Sequence, residues 1–238
     1  MIKDLVNSLF GDFNNLQNGV KILLLALLLT DVAFLILHVF AAFYMRHTDD
    51  FDFYLMTRDR SYAEVFQYIK EFKIALFLFM MSLNTKQVLF AILGLLFVYL
   101  LADDMMGLHE GAGVYFKETF LSPEAGKLPM VVIQVVFSFL VFIIFAILIW
   151  FFIKSGVDSE YELFSKKLML LVVFLAIFGV GIDFLHSLYN LTDIDSEYVN
   201  QILALIEDWG EMLVMTGIVG YVYGVVLINS NVQKKVIN

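Results

Sequence analysis

The chain has 238 residues, of which 61% are hydrophobic and 16% charged, with a mean hydropathy of +0.85, a composition that excludes an ordinary soluble domain. Its 24 Asp and Glu against 15 Lys and Arg give a net charge of -9, which excludes a nucleic-acid binder and a polybasic membrane-surface protein. With no cysteine, disulfides, iron–sulfur clusters, thiolate zinc sites and cysteine nucleophiles are excluded as well. Function must come from acids, histidines and hydroxyls placed in an apolar scaffold.

In residues 1–18, Ile2, Leu5, Val6, Leu9, Phe10 and Phe13 recur at helical spacing among Lys3, Asp4, Asn7 and Asp12. This pattern predicts a short amphipathic helix on the membrane surface. Apolar stretches long enough to cross ~30 Å of hydrocarbon follow at 19–45, 86–112, 128–154, 164–190 and 200–230. The first has no basic leader or cleavage site and reads as a retained helix. Residues 62–84 form a further span that begins with the mixed stretch Tyr62, Glu64, Tyr68, Lys70, Glu71 and Lys73, so its first half needs protein or water beside it. The expectation is an all-α, polytopic membrane bundle of six transmembrane helices in one domain, 19–230, with a short tail at 231–238. A five-span alternative lays 62–84 partly in the interface.

An even number of spans puts both termini on one side. Lys3, Lys21, Lys86, Lys154, Lys166, Lys167, Lys234 and Lys235 fall on the terminal side, against Arg46, Arg58, Arg60, Lys117 and Lys127 on the other, which predicts cytoplasmic termini. The opposite side carries Asp49, Asp50, Asp52, Asp59, Glu64, Glu118, Glu124, Asp193, Asp195 and Glu197.

Ionisable residues deep in a span cost about 2.5–3.5 kcal/mol each on insertion scales and face a cavity, a partner or one another. The first span carries Asp31 and His38; the third ends in Asp103, Asp104, His109 and Glu110; the fifth has Asp183 and His186; the sixth has Glu207, Asp208 and Glu211. At a rise of 1.5 Å per residue, His38, Asp104, Asp183, His186 and Glu211 all lie ~22–27 Å from the terminal side, with Glu207 and Glu110 at ~31–33 Å. Alternating helices thus bring acids and histidines to one level. Only Lys70 and Lys73 stand nearby as bases, so metal, protons or water must balance the layer. Asp31 sits apart from it, within reach of Thr30 or Gln134.

Asp183 and His186, three apart, and Glu207 and Glu211, four apart, suit chelation from one helix face. Oxygen donors with a few imidazoles suit a divalent zinc, iron or manganese ion. The expected ligands are Asp104, Glu110, Asp183, His186 and Glu211, with Glu207 as general base and His109 and His38 as ligands or acid–base groups. This pattern points to a metal-dependent hydrolase or oxidase acting on a lipid or small hydrophobic substrate. Two other readings stay open. In one, the acids form the vestibule of a cation or proton channel or transporter, with His38, Asp31 and Lys70 as relay and an oligomer supplying the pore. In the other, the chain is a non-catalytic membrane effector or subunit.

Overall fold

A computed structural model describes residues 2–45, 48, 51–121, 126–191 and 196–237. Arg46, Asp49, Asp50, Glu124, Asp193 and Asp195, and the side chains of Glu197, Lys234 and Lys235, lie outside the described set. Within it the chain is all-helical: α1 (Ile2–Asn14), α2 (Asn18–Tyr44), α3 (Phe51–Tyr54), α4 (Tyr62–Thr85), α5 (Val88–Met106), α6 (Leu108–Phe120), α7 (Leu128–Lys154), α8 (Ser159–Ala176), a π-helical segment (Ile177–Ile182), α9 (Asp183–Tyr189) and α10 (Glu197–Ile237). Among the described residues four stretches are long and apolar enough to cross a membrane: Asn18–Tyr44, Val88–Met106, Leu128–Lys154 and the continuous Ser159–Tyr189.

The helix boundaries follow from local chemistry. Ser61 caps α4 by accepting from the Glu64 N–H at 3.3 Å, while the Glu64 carboxylate turns back onto the Arg60 N–H, a variant of the Ser-x-x-Glu capping box. Lys86, in the left-handed region, closes α4 and starts the tight turn into α5. At the other end of α5, Gly107 takes a φ of 61° and its N–H bonds to the Asp103 carbonyl at 2.7 Å. That left-handed turn divides the helix expected over 86–112 into α5 and α6. The Asp103 carboxylate accepts from the His109 N–H at 2.9 Å and so caps the first turn of α6. Consequently Asp103 and Glu110 do not share one helix face, and the stretch after 112 is helix rather than loop. α6 lies close along α7, where a Cβ on Gly113 would meet the Gln134 side chain at 2.6 Å and the Met130 carbonyl at 2.9 Å.

The core is formed mainly by α4, α5, α8 and α10. Ile74, Leu78, Phe90, Leu93, Phe97, Leu168, Met215 and Ile218 are fully enclosed in it. α2 and α7 are peripheral and leave long apolar faces outward; α7 buries only Val131 and Ile149 fully. Small residues let α10 approach its neighbours, since a Cβ on Gly220 would overlap Leu24 of α2 and one on Gly210 would overlap the Phe178 ring. The amphipathic α1 is docked as well as amphipathic: Leu9 is buried, Phe13 packs on Tyr221, and Lys167 of α8 reaches Asp12 at 2.5 Å and the Ser8 carbonyl at 3.4 Å.

One polar node crosses this apolar interior. Lys70 Nζ of α4 lies 2.7 Å from Asp31 Oδ1 of α2 and 3.0 Å from the Met212 carbonyl of α10. Thr216 Oγ1 donates to Asp31 Oδ2 at 2.7 Å, and Phe66 places its ring 4.8 Å from the ammonium. The partners of Asp31 are therefore Lys70 and Thr216. Thr30 instead bonds the carbonyl of Ala26 in its own helix, and Gln134 stands across the bundle on α7. The pair ties α2, α4 and α10 together with both charges satisfied. Lys70→Met, which strands Asp31 in the interior, should lower unfolding free energy by about 3–5 kcal/mol. Combining it with Asp31→Leu should recover most of that loss in denaturation of the detergent-solubilised protein.

Candidate functional site

α4, α5 and α10 bring their polar residues to one end of the bundle, where two adjoining cavities open. The first is a vestibule of about 330 Å³ bounded by the 56–60 loop, the starts of α4 and α6, the end of α5 and the first half of α10. Arg58, Asp59, Arg60, Glu64, Glu110, Glu207 and Asp208 lie around it. The second is a cleft of about 120 Å³ between α5, α7 and α8, walled by Leu96, Leu100, Val135, Phe142, Val172 and Leu175. Gln67, Asp103, Asp104, His109, Gly179, Asp183 and Glu211 border both. A shared wall of carboxylates thus separates a polar entrance from an apolar interior.

Helical spacing aims these groups. Lys70 and Glu71 are adjacent on α4 and diverge by about a quarter turn, so Lys70 meets Asp31 while Glu71 faces the cleft. Glu71 is 1% exposed and Gln67, one turn earlier, 5%. Glu71 Oε2 and both side-chain atoms of Gln67 have no hydrogen-bond partner within the protein, and the Tyr99 hydroxyl is in the same condition. The Glu71 carboxyl lies against that of Asp104, a contact two carboxyl groups hold only with a proton or cation between them. On α10, Glu211 points at the π-helical segment, where a Cβ on Gly179 would overlap Oε1. π-helical turns recur at functional sites because the extra residue re-aims the helix. Here it brings Gly179 under Glu211 and Asp183 to the rim.

The two cavity-side histidines are held by acids. His109 Nδ1 lies 3.0 Å from Asp103 Oδ2. Burial works against the imidazolium, but the bond and charge of Asp103 outweigh it and raise the His109 pKa above its ordinary value. His186 Nδ1 lies 3.6 Å from Glu207 Oε2. Of the residues the sequence singled out, Asp104, Asp183, Glu211 and His109 border both cavities, and Glu110 and Glu207 the vestibule. His186 touches the group through Glu207. His38 is not brought to the layer: its Nδ1 accepts the Met56 N–H at 3.1 Å and pins the loop that follows α3. Among the described residues no three His, Asp or Glu side chains converge closely enough to hold a metal ion.

Gln67 and Tyr99 are the site residues that pattern reading passes over, and Glu71, which it places beside the layer, is not assigned a role by it. Their signal is the i, i+4 pairing of polar residues on otherwise apolar helices: Gln67 with Glu71, Tyr99 with Asp103, and Gln134 with Ser138.

The sequence profile of a domain of unknown function, DUF8692, matches residues 72–225, more than half of the chain. The protein belongs to the DUF8692 family. The matched stretch begins just after Glu71 and takes in every carboxylate that α5, α9 and α10 contribute to the shared wall, whereas α1, α2 and Asp31 precede it. No curated protein and no solved structure matches the chain.

Gly179 offers a way to move one carboxylate alone. Because the colliding atom is the tip of a flexible side chain, Gly179→Ala should displace Glu211 at a cost to stability below about 1 kcal/mol. Gly210→Ala, which meets the Phe178 ring, should cost more, about 1–3 kcal/mol. Denaturation midpoints of the two variants compare these costs directly, and equal losses would contradict the assignment.

Proposed function

We propose that this DUF8692 protein is a six-span membrane protein with cytoplasmic termini that captures a cation in the carboxylate chamber, on the non-cytoplasmic side of the bilayer. The observation that carries this reading is an uncompensated charge. Glu71 is fully buried, Asp104 and Glu211 line the same cleft, and the nearest lysine, Lys70, is committed to Asp31. A carboxylate withdrawn from water, as Glu71 is, needs a proton or a counter-charge, and a cation from the acidic vestibule supplies the latter. In the six-span arrangement α4 and α10 cross together with the four more apolar helices, their polar halves turned to the cavities and away from lipid.

The form of the cation follows from spacing. Metal–oxygen bonds of about 2.0–2.6 Å require tightly converging donors. Hydrogen bonds to a larger cation span about 2.7–2.9 Å and tolerate the open arrangement of this wall. The zinc, iron or manganese site expected from the sequence, with Asp104, Glu110, Asp183, His186 and Glu211 as ligands, requires these side chains to close in and His186 to leave Glu207. In that case Glu207 and His109 are placed to move protons, and hydrolase or oxidase chemistry follows. Conduction is the weaker reading, because on the terminal side of the layer the buried polar groups Lys70, Asp31 and Thr216 are bonded to one another and the residues around them, from Ile74 to Ile218, are apolar.

Thermal-shift titration of the purified protein with Mg2+, Ca2+, Mn2+, Zn2+ and methylammonium, together with elemental analysis, tests the proposal. At least one cation should stabilise saturably, and Glu71→Gln and Glu211→Gln should each weaken it about tenfold, or ~1.4 kcal/mol. Absence of any saturable cation effect would overturn the reading, and liposomal cation flux that Glu211→Gln abolishes would replace it with conduction.

A further inference from the structure

Resting on that cation reading, we infer that the ligand is an amphiphilic amine: a protonated ammonium held at Glu71, Asp104 and Glu211, carrying a single hydrocarbon chain that lies in the cleft between α5, α7 and α8. Three observations converge on it. The polar end of the cleft is dominated by acceptors: the carboxylates of Glu71, Asp104 and Glu211 gather there beside Gln67 and Tyr99, which can accept as well as donate. An ammonium carries three N–H donors and no acceptor; Glu71 Oε2, Gln67 Oε1 and the Tyr99 oxygen are buried there with no partner in the protein, and the carboxylates of Asp104 and Glu211 border the same space.

Beyond this end the cleft is lined mostly by apolar side chains, Leu96, Leu100, Val135, Phe142, Val172 and Leu175, with Gln134 and Ser138 of α7 among them. Its volume of about 120 Å³ far exceeds the ~10–15 Å³ that one water needs. A hydrated metal ion has no use for such a wall, whereas a chain attached to the cation gains about 0.8 kcal/mol for each methylene it buries.

The position of α7 supplies the route of entry. This helix makes its close contacts with α5, α6 and α9 rather than with α8, and most of its surface faces outward. The cleft lies along this weakly packed seam between α7 and α8. A ligand can therefore place its head through the polar wall while its chain enters sideways from the hydrocarbon, which keeps the chain out of water throughout.

Binding of methyl-, butyl-, octyl- and dodecylammonium to the full-length protein in nanodiscs decides the matter, with dodecanol and dodecyltrimethylammonium as controls. Affinity should rise at least tenfold from butyl- to dodecylammonium. Dodecanol, lacking the charge, and the trimethyl compound, lacking N–H donors, should bind at least tenfold more weakly than dodecylammonium. Val135→Phe and, as a second variant on the same lipid-facing helix, Ser138→Phe should remove the chain-length gain while leaving methylammonium binding unchanged. Glu71→Gln should lose both. Equal affinity across the series, or dodecylammonium binding untouched by both Phe variants, would overturn the inference while the cation site stands. Dodecanol binding as tightly as the amine would overturn it too, and failure of every cation to bind would remove the chamber reading along with it.

Discussion

The bundle is organised around the ion pair between Lys70 and Asp31. Two opposite charges at 2.7 Å, almost fully withdrawn from solvent, are tolerable in an apolar interior only when their remaining hydrogen-bonding capacity is met. Thr216 and the Met212 carbonyl meet it. The four groups come from α2, α4 and α10, so the pair fixes the rotation of α4 about its axis relative to both neighbours. Once Lys70 is held on that side, the residue after it can point only toward α5. Glu71 is thereby delivered to the cleft with one oxygen unpaired. The pair also turns the Lys70 ammonium away from the carboxylate layer and toward Asp31.

The acidic wall follows from this division. Its members reach one place through devices that each relieve a local conflict. Gly107 breaks α5 so that Asp103 can cap α6 and orient His109. The π-helical segment Ile177–Ile182, between α8 and α9, places Gly179 where it can receive Glu211. Both devices cost regular helix geometry, and both sit beside the cavities. Elsewhere the long helices pack through a mainly apolar core, which separates the charged end from the end where α1 docks through Asp12 and Lys167.

Much of the site was legible in the sequence for a simple physical reason. Charged residues in an apolar helix are expensive, so Asp104, Asp183, Glu207 and Glu211 stood out individually, and alternating helices were bound to bring them to one level. The same reasoning could not choose partners. It left Asp31 with Thr30 or Gln134 when the partner was Lys70, and it placed His38 in the layer by height along the axis, although the side chain turns to the Met56 N–H. Height is a one-dimensional quantity that helix rise supplies, whereas facing depends on how each helix is rotated in the bundle. The helix division at Gly107 was missed because an apolar run ending in polar residues does not reveal whether a glycine within it adopts a positive φ.

The sequence by itself determined that this is a membrane-embedded helical protein, where its long helices lie, and that its excess negative charge gathers at one end, because those properties depend on composition and on the fixed rise of a helix. Tertiary structure alone decided which acid meets a base, which is left unpaired, and that the carboxylate wall opens on one side to a polar vestibule and on the other to an apolar cleft. Those outcomes depend on rotation and packing between helices distant in the chain. Lys70 and Glu71 show the reason most plainly: neighbours in sequence, they are sent by a hundred degrees of helical turn to opposite fates, one neutralised within the fold and one left facing the cleft.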